Sequence, residues 1–378
     1  MNEMKTRRDF LLGSGAALAE VVAAQKFGGR AMKQRVFVAS GAKDGILAFE
    51  WDAENGKLES RGEAAKLEIV DWLALSHDKK HLYAACEVES FNGRATGMVA
   101  SFAVESGGVR KLSARNSASK GTCHCAVDAT GNVLLAADYG GGSAASFAAR
   151  DGALSEVVWS EHYTLTGPNK ERQEAAHAHF ASYSPDNRFA YVNDLGGDVI
   201  HIYALDAATA KLTKAGEYHS APGAGPRTLR FHPNAHIAYS VNELDATIDV
   251  LAWSKADGAL TLVERHEMLE RGEEGPRWGC DTAITRDGRF VYAAHRGNDF
   301  LLSFKADVGS GRLTRMERTP AGGKIPRSFV LDPTERWLLV ANQKSDYVTV
   351  FARDVESGRI AKTGTNVVLA EPMSIVFA

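Results

Sequence analysis

The sequence predicts an all-β fold: a seven-bladed β-propeller with four-stranded antiparallel blades, closed by joining N- and C-terminal strands in one blade. Three observations carry that prediction. A strand–turn–strand pattern returns at intervals of about fifty residues, the range of propeller blades. Between its copies lie further strand-like runs, each followed by a turn rich in Asp, Gly and Lys. The two chain ends each hold part of a unit that the other completes.

Along the chain, "QRVFVASGAKDGILAFEWD" (34–52) supplies a second and a third strand with no first, and "GKLESRGEA" a fourth. The full pattern then appears as "LSHDKKHLYAACE" (75–87), "VDATGNVLLAADY" (127–139) and "YSPDNRFAYVNDL" (183–195). It continues as "FHPNAHIAYSVNE" (231–243), "ITRDGRFVYAAHR" (284–296) and "LDPTERWLLVANQ" (331–343). Third strands follow these copies, as in "GMVASFAV", "DVIHIYAL", "TIDVLAW", "DFLLSFKA" and "YVTVFAR". The terminal "EPMSIVFA" matches a first strand with nothing after it, so it completes the N-terminal unit. Closure of this kind removes open sheet edges. A solenoid would carry polar caps instead, and no GH…WD signature of a WD40 scaffold is present. One polar insertion, "SEHYTLTGPNKERQEAAHAH" (160–179), is expected to form a loop over one mouth of the ring.

Composition narrows the function. Of the 378 residues 44% are apolar, so a sizeable core can be buried. The net charge of −3 gives no broad basic surface, which excludes nucleic acid as a partner. Cys86, Cys123, Cys125 and Cys280 form no CxxC pair and read as buried free thiols. The N-terminal "MKTRRDFLLGSGAALAEVVAA" places Arg7 and Arg8 before an apolar, small-residue stretch, as in a twin-arginine export signal; Glu20 departs from that pattern. Residues 1–32 are therefore expected to be an export segment and linker, and 33–378 the propeller, with a periplasmic location and a cytoplasmic one as the alternative. No later run is long enough to span a bilayer. A monomer is expected.

Repeats let the sequence serve as its own alignment. The residues placed at the start of the innermost strands are Trp72, His124, His179, Arg227, Asp281, Arg327 and Met373. Those ending the second strands are Ser40, Cys86, Asp138, Asp194, Asn242, His295 and Asn342, followed by Gly41, Glu87, Tyr139, Leu195, Glu243, Arg296 and Gln343. Turn chemistry accounts for several polar members. It does not account for His179, Arg227, Glu243 and Arg296 in consecutive units, which point to one concave site at the pore mouth.

These units resemble the seven-bladed lactonase family, which includes bacterial 6-phosphogluconolactonases and fungal carboxy-cis,cis-muconate cyclases. "GPRTLRFHPNAHIAYSVNEL" is the most specific piece, with "HAHFASYSPDNRFAYVNDLG" and "RWGCDTAITRDGRFVYAAHRG" beside it. The resemblance implies a catalytic set of His179, Arg227, Glu243 and Arg296. Arg277 and Arg327 would bind substrate, with His124, His177, Asp194 and His295 near them. Phe180, Thr228 and His295 depart from the family pattern. The implied activity is hydrolysis of 6-phospho-D-glucono-1,5-lactone or a related sugar lactone, with no metal and no organic cofactor. A muconate-type cyclase and a non-catalytic binding propeller are the alternatives. A metal-dependent lactonase would draw ligands from His177, His179, Asp194 and Glu243. Neighbouring arginines lower a carboxylate's pKa, which favours His179 over Glu243 as the base.

Overall fold

The computed structural model describes residues 33–378; the segment read as an export signal lies outside the described residues. Seven four-stranded antiparallel sheets follow one another along the chain. Their innermost strands are Pro372–Phe377, Val70–Leu75, Thr122–Val127, Ala178–Tyr183, Pro226–Phe231, Gly279–Ile284 and Pro326–Leu331, in blades 1 to 7. Neighbouring inner strands touch all the way round, and Pro372–Phe377 touches both Pro326–Leu331 and Val70–Leu75. The ring is closed.

Blade 1 combines both ends of the described chain. Its strand order runs from Pro372–Phe377 through Gln34–Ser40 and Ile46–Asp52 to Lys57–Ala65. The pairs Val36↔Phe377 and Val38↔Ile375 fix the register of that closure. Trp51 packs edge-on against both Phe377 and Trp337, joining blade 1 to blade 7.

Burial explains which sequence becomes which strand. The second strands, such as "FAYVND" and "IAYSVN", are buried at every position because neighbouring blades cover both faces. A strand covered twice reads as a continuous apolar run. The outermost strands, such as "KLTKAGEYH", are largely exposed and charged, which blunts the sheet edge. Tyrosines in three second strands reach into the next blade: the hydroxyls of Tyr191, Tyr239 and Tyr292 donate to the carbonyls of Gly258, Gly311 and Gly358 at 2.6–2.8 Å. Gly258 has φ +76°, and a Cβ there would lie 2.7 Å from Phe189. Glycine is needed there on both counts.

Two repeated backbone features build the mouth. First, the pairing of each inner strand with its second strand is irregular near its start. In five blades one residue is inserted into the ladder, and it is Asp71, Cys123, His179, Arg227 or Arg327. A bulge re-aims the side chain of the extra residue. Second, the amide after each second strand donates to the carbonyl just before the inner strand. Gly41, Glu87, Tyr139, Leu195, Glu243, Arg296 and Gln343 all make this bond, at 2.7–3.0 Å. One ring of residues is thus held at one height around the opening.

Candidate active site at the propeller mouth

The bulges correct the inner-strand column read from sequence. The equivalent residues are Asp71, Cys123, His179, Arg227, Cys280, Arg327 and Met373, each the second of a six-residue strand. Trp72, His124 and Asp281 sit one position further along. The correct column lies five residues before the turn residues Ser76, Asp128, Ser184, His232, Thr285 and Asp332, a constant spacing in the sequence. In five of the six the turn side chain accepts the first amide of the second strand, as Asp128 does from Val133 at 2.9 Å and Ser184 from Phe189 at 2.9 Å; His232 instead accepts the Asn234 amide.

Glu243 is the centre of the cluster. Its side chain is fully buried, and three guanidiniums converge on it. Arg172 Nη2 and Arg296 Nη2 each lie 2.7 Å from Oε1, and Arg227 Nε donates to Oε2 at 2.9 Å. Burial alone would push this carboxyl up. Arg296, Arg227 and Arg172 outweigh it and hold Glu243 well below the usual carboxylate range. Arg227 also donates through Nη1 to the Cys280 carbonyl at 2.9 Å, so its planar head is fixed from two sides.

His179 stands beside this cluster, 8% exposed, with its ring edge-on to Tyr139 at 5.6 Å. Its Nδ1 is buried and has no hydrogen-bond partner. Burial, and then Arg227, push the imidazole well below the ordinary histidine value, against the pull of Glu243. The ring is therefore neutral. Glu243 makes no hydrogen bond to the ring; its oxygens receive the three guanidiniums instead.

Arg172 was not foreseen. It comes from the 160–179 insertion, reaches over the mouth and also donates to the Tyr139 hydroxyl at 3.1 Å. The buried Gln173 anchors that loop, donating to the Leu195 carbonyl at 2.9 Å and to Asp198 at 2.8 Å. On the far side, Arg327 Nη2 contacts both oxygens of Asp71, at 2.6 and 2.7 Å. Each of these residues lies two positions after a β-branched residue at left-handed φ, Ile69 at +47° and Ile325 at +55°. Such backbone is costly and marks functional sites.

The other residues expected at the site are placed differently. His177 is stacked on Tyr139 at 4.4 Å, and its Nδ1 meets the Tyr139 carbonyl at 3.0 Å. Asp194 is buried and accepts the amides of His177 and Gly197, a capping role. His295 is buried flat against Phe300 at 4.6 Å and accepts the Asn298 amide, so it supports the turn that carries Arg296. Arg277 is exposed and turned to the Asp245 carbonyl and Glu267, away from the cluster. His124 lies below the mouth, its Nδ1 accepting the Ala181 amide and its ring 3.8 Å from Phe180 and 4.5 Å from Trp72. With Arg230 over Phe180 at 5.1 Å, these rings form a plug across the hollow. A cavity of about 900 Å³ lies beyond it and is lined toward its opening by turn residues such as Lys79, Arg286 and Glu335. That cavity touches none of His179, Arg227, Glu243 and Arg296. Among the described residues no group of three or more His, Cys, Asp or Glu is disposed to hold a metal ion. No described helix is long and apolar enough to cross a membrane.

Comparison with known proteins follows the same architecture. Residues 35–377 match the family model for lactonases of the seven-bladed β-propeller type. A 6-phosphogluconolactonase of Bacillus subtilis is 33% identical over 80% of this chain and 86% of its own length. Another, from Formosa agariphila, is 30% identical over 79% of this chain and 85% of its own. The structure of a periplasmic gluconolactonase from Pseudomonas aeruginosa superposes with a TM-score of 0.85 at 29% identity, covering 92% of this chain and 99% of that one. Seven closed blades, the matched span and these relatives agree: the chain belongs to the lactonase family of seven-bladed β-propellers.

Proposed function

We propose that this lactonase opens a sugar lactone at the mouth where His179, Arg227, Glu243 and Arg296 meet. The carrying observation is the convergence of three guanidiniums on Glu243 beside a neutral imidazole whose Nδ1 has no partner. In this reading His179 takes a proton from water as the water attacks the lactone carbonyl. Arg227 and Arg296 face the oxygen on which charge develops. A fixed donor of that kind contributes roughly 10²–10³ in rate. Glu243 is a positioning residue: permanently ionised, it sets the arginine heads without carrying a proton.

The charge at the mouth bears on the substrate. Arg172, Arg227, Arg296 and Arg327 outnumber their partners Glu243 and Asp71. This excess favours a lactone bearing phosphate or carboxylate, and 6-phospho-D-glucono-1,5-lactone is the choice that the relatives' names suggest. An unphosphorylated gluconolactone is the second reading. It is favoured by the paired arginines near the N-terminus and by the likeness to a protein called periplasmic, which support residues 1–32 as an export segment preceding the catalytic unit. An acid-release assay over γ- and δ-lactones, phosphorylated and plain, decides between them. Arg227→Ala is expected to lower turnover by about a hundredfold; an unchanged rate would remove the proposed site.

A further inference from the structure

Two carboxylates stand in the ring of residues that follow the second strands. Glu87 belongs to blade 2 and Glu243 to blade 5, and equivalent amide bonds hold them at one height: Glu87 to Ile69 at 2.9 Å, Glu243 to Gly225 at 2.8 Å. In a ring of seven, blade 2 faces the junction of blades 5 and 6. Glu87 therefore lies across the mouth from Glu243 and Arg296.

Their surroundings are opposite in character. Glu243 is fully buried and saturated by three guanidiniums. Glu87 is half-buried, and its carboxyl makes no hydrogen bond or ion pair with the described residues. The cation acting most strongly on it, Arg327, is engaged at 2.6 Å by Asp71. The charged groups acting on Glu87 are Asp71, Arg327, Arg296 and Glu89, and Glu89 itself lies 3.4 Å from Lys120. Burial first, then Asp71, push the Glu87 carboxyl up to about 7, against Arg327. Where two carboxyls of one site are driven apart in this way, the raised one is the candidate to hold a proton near neutral pH.

We propose that Glu87 is the catalytic acid that protonates the departing ring oxygen, an assignment that rests on the lactone-opening reading above. Water oxygen bonds to the carbonyl carbon, its proton passes to the unprotonated nitrogen of the His179 imidazole, and the π pair moves to the oxygen facing Arg227 and Arg296. When that pair returns, the bond from carbon to the ring oxygen breaks. The freed alkoxide takes the Glu87 proton and becomes the alcohol of a hydroxy acid. Water has been consumed, the imidazolium and the Glu87 carboxylate remain, and proton exchange through solvent resets both.

The test compares full-length wild type with Glu87→Gln on two lactones. Aliphatic δ-gluconolactone releases an alkoxide that needs a proton; dihydrocoumarin releases a phenoxide that does not. The substitution is expected to lower kcat by about a hundredfold on the aliphatic substrate, little on the aryl one, with KM nearly unchanged. Wild-type kcat/KM, corrected for spontaneous hydrolysis, should fall above about pH 7 as Glu87 ionises, a limb absent from the variant. An equal loss on both substrates, a retained limb, or a flat wild-type profile would overturn the assignment; the last reading needs no folded variant. A wild type that opens no lactone, phosphorylated or plain, would instead bring down the underlying function.

Discussion

Arg172 and Glu243 meet at 2.7 Å although 71 residues of chain separate them. One sits on a surface insertion and the other at the end of a strand. The contact ties a loop to the floor of the mouth. Arg172→Ala should raise KM about tenfold, because a cation facing an anionic substrate is lost. The thermal midpoint should fall only modestly, since Arg227 and Arg296 still neutralise Glu243 and Gln173 still anchors the loop. A fall in kcat at constant KM would contradict the binding role.

Replacing Glu243 leaves Arg227 buried without its carboxylate. Breaking a buried pair from one side costs roughly 3–5 kcal/mol, and Glu243→Gln is expected to lower stability on that scale, measured by denaturant unfolding. The sign with pH follows from the lowered carboxyl. Its contribution is complete above the unfolded value near 4 and shrinks as pH falls below it. Wild type should therefore lose stability between pH 5 and 3 more steeply than the variant.

His295 gives a second pH dependence at a milder pH. Burial lowers it to about 4, so the folded chain keeps it neutral while the unfolded chain takes up a proton below about 6.5. Stability is complete above 6.5 and falls as pH drops toward 4, by up to about 3 kcal/mol. His295→Asn should flatten the melting temperature over that window; parallel wild-type and variant curves would count against it.

Closure of blade 1 predicts a sharp truncation effect. Deleting residues 372–378 removes the innermost strand and bares the edge of Gln34–Ser40. Size-exclusion chromatography should show aggregate. A monodisperse product with an unchanged melting point would show that the seam contributes little.

The blades were legible because each copy repeats the same buried run and turn, and the divided blade because its two pieces match complementary strands. The inner-strand register was read correctly at His179 and wherever a proline stands before the residue, as in Pro226–Arg227, Pro326–Arg327 and Pro372–Met373. In Val70–Asp71, Thr122–Cys123 and Gly279–Cys280 the bulge left no such mark, and the more conspicuous Trp72, His124 and Asp281 drew the column one place too far. Arg172 was hidden because the insertion also offers Lys170, Glu171 and Glu174. Which of them turns inward depends on local bonds such as Asn169 to Gln173 at 3.1 Å. Glu87 was visible as a column member, but what shapes its chemistry is its burial and then Asp71, which Arg327 holds in place across 256 residues.

The seam in blade 1 also sets a schedule. Gln34–Ser40 leaves the ribosome more than three hundred residues before its partner Pro372–Phe377. At ordinary synthesis speeds the early strand waits on the order of half a minute with an unfilled side. A nascent chain interrupted before Pro372–Phe377 would be a broken circle, so that strand has to emerge before the mouth can exist.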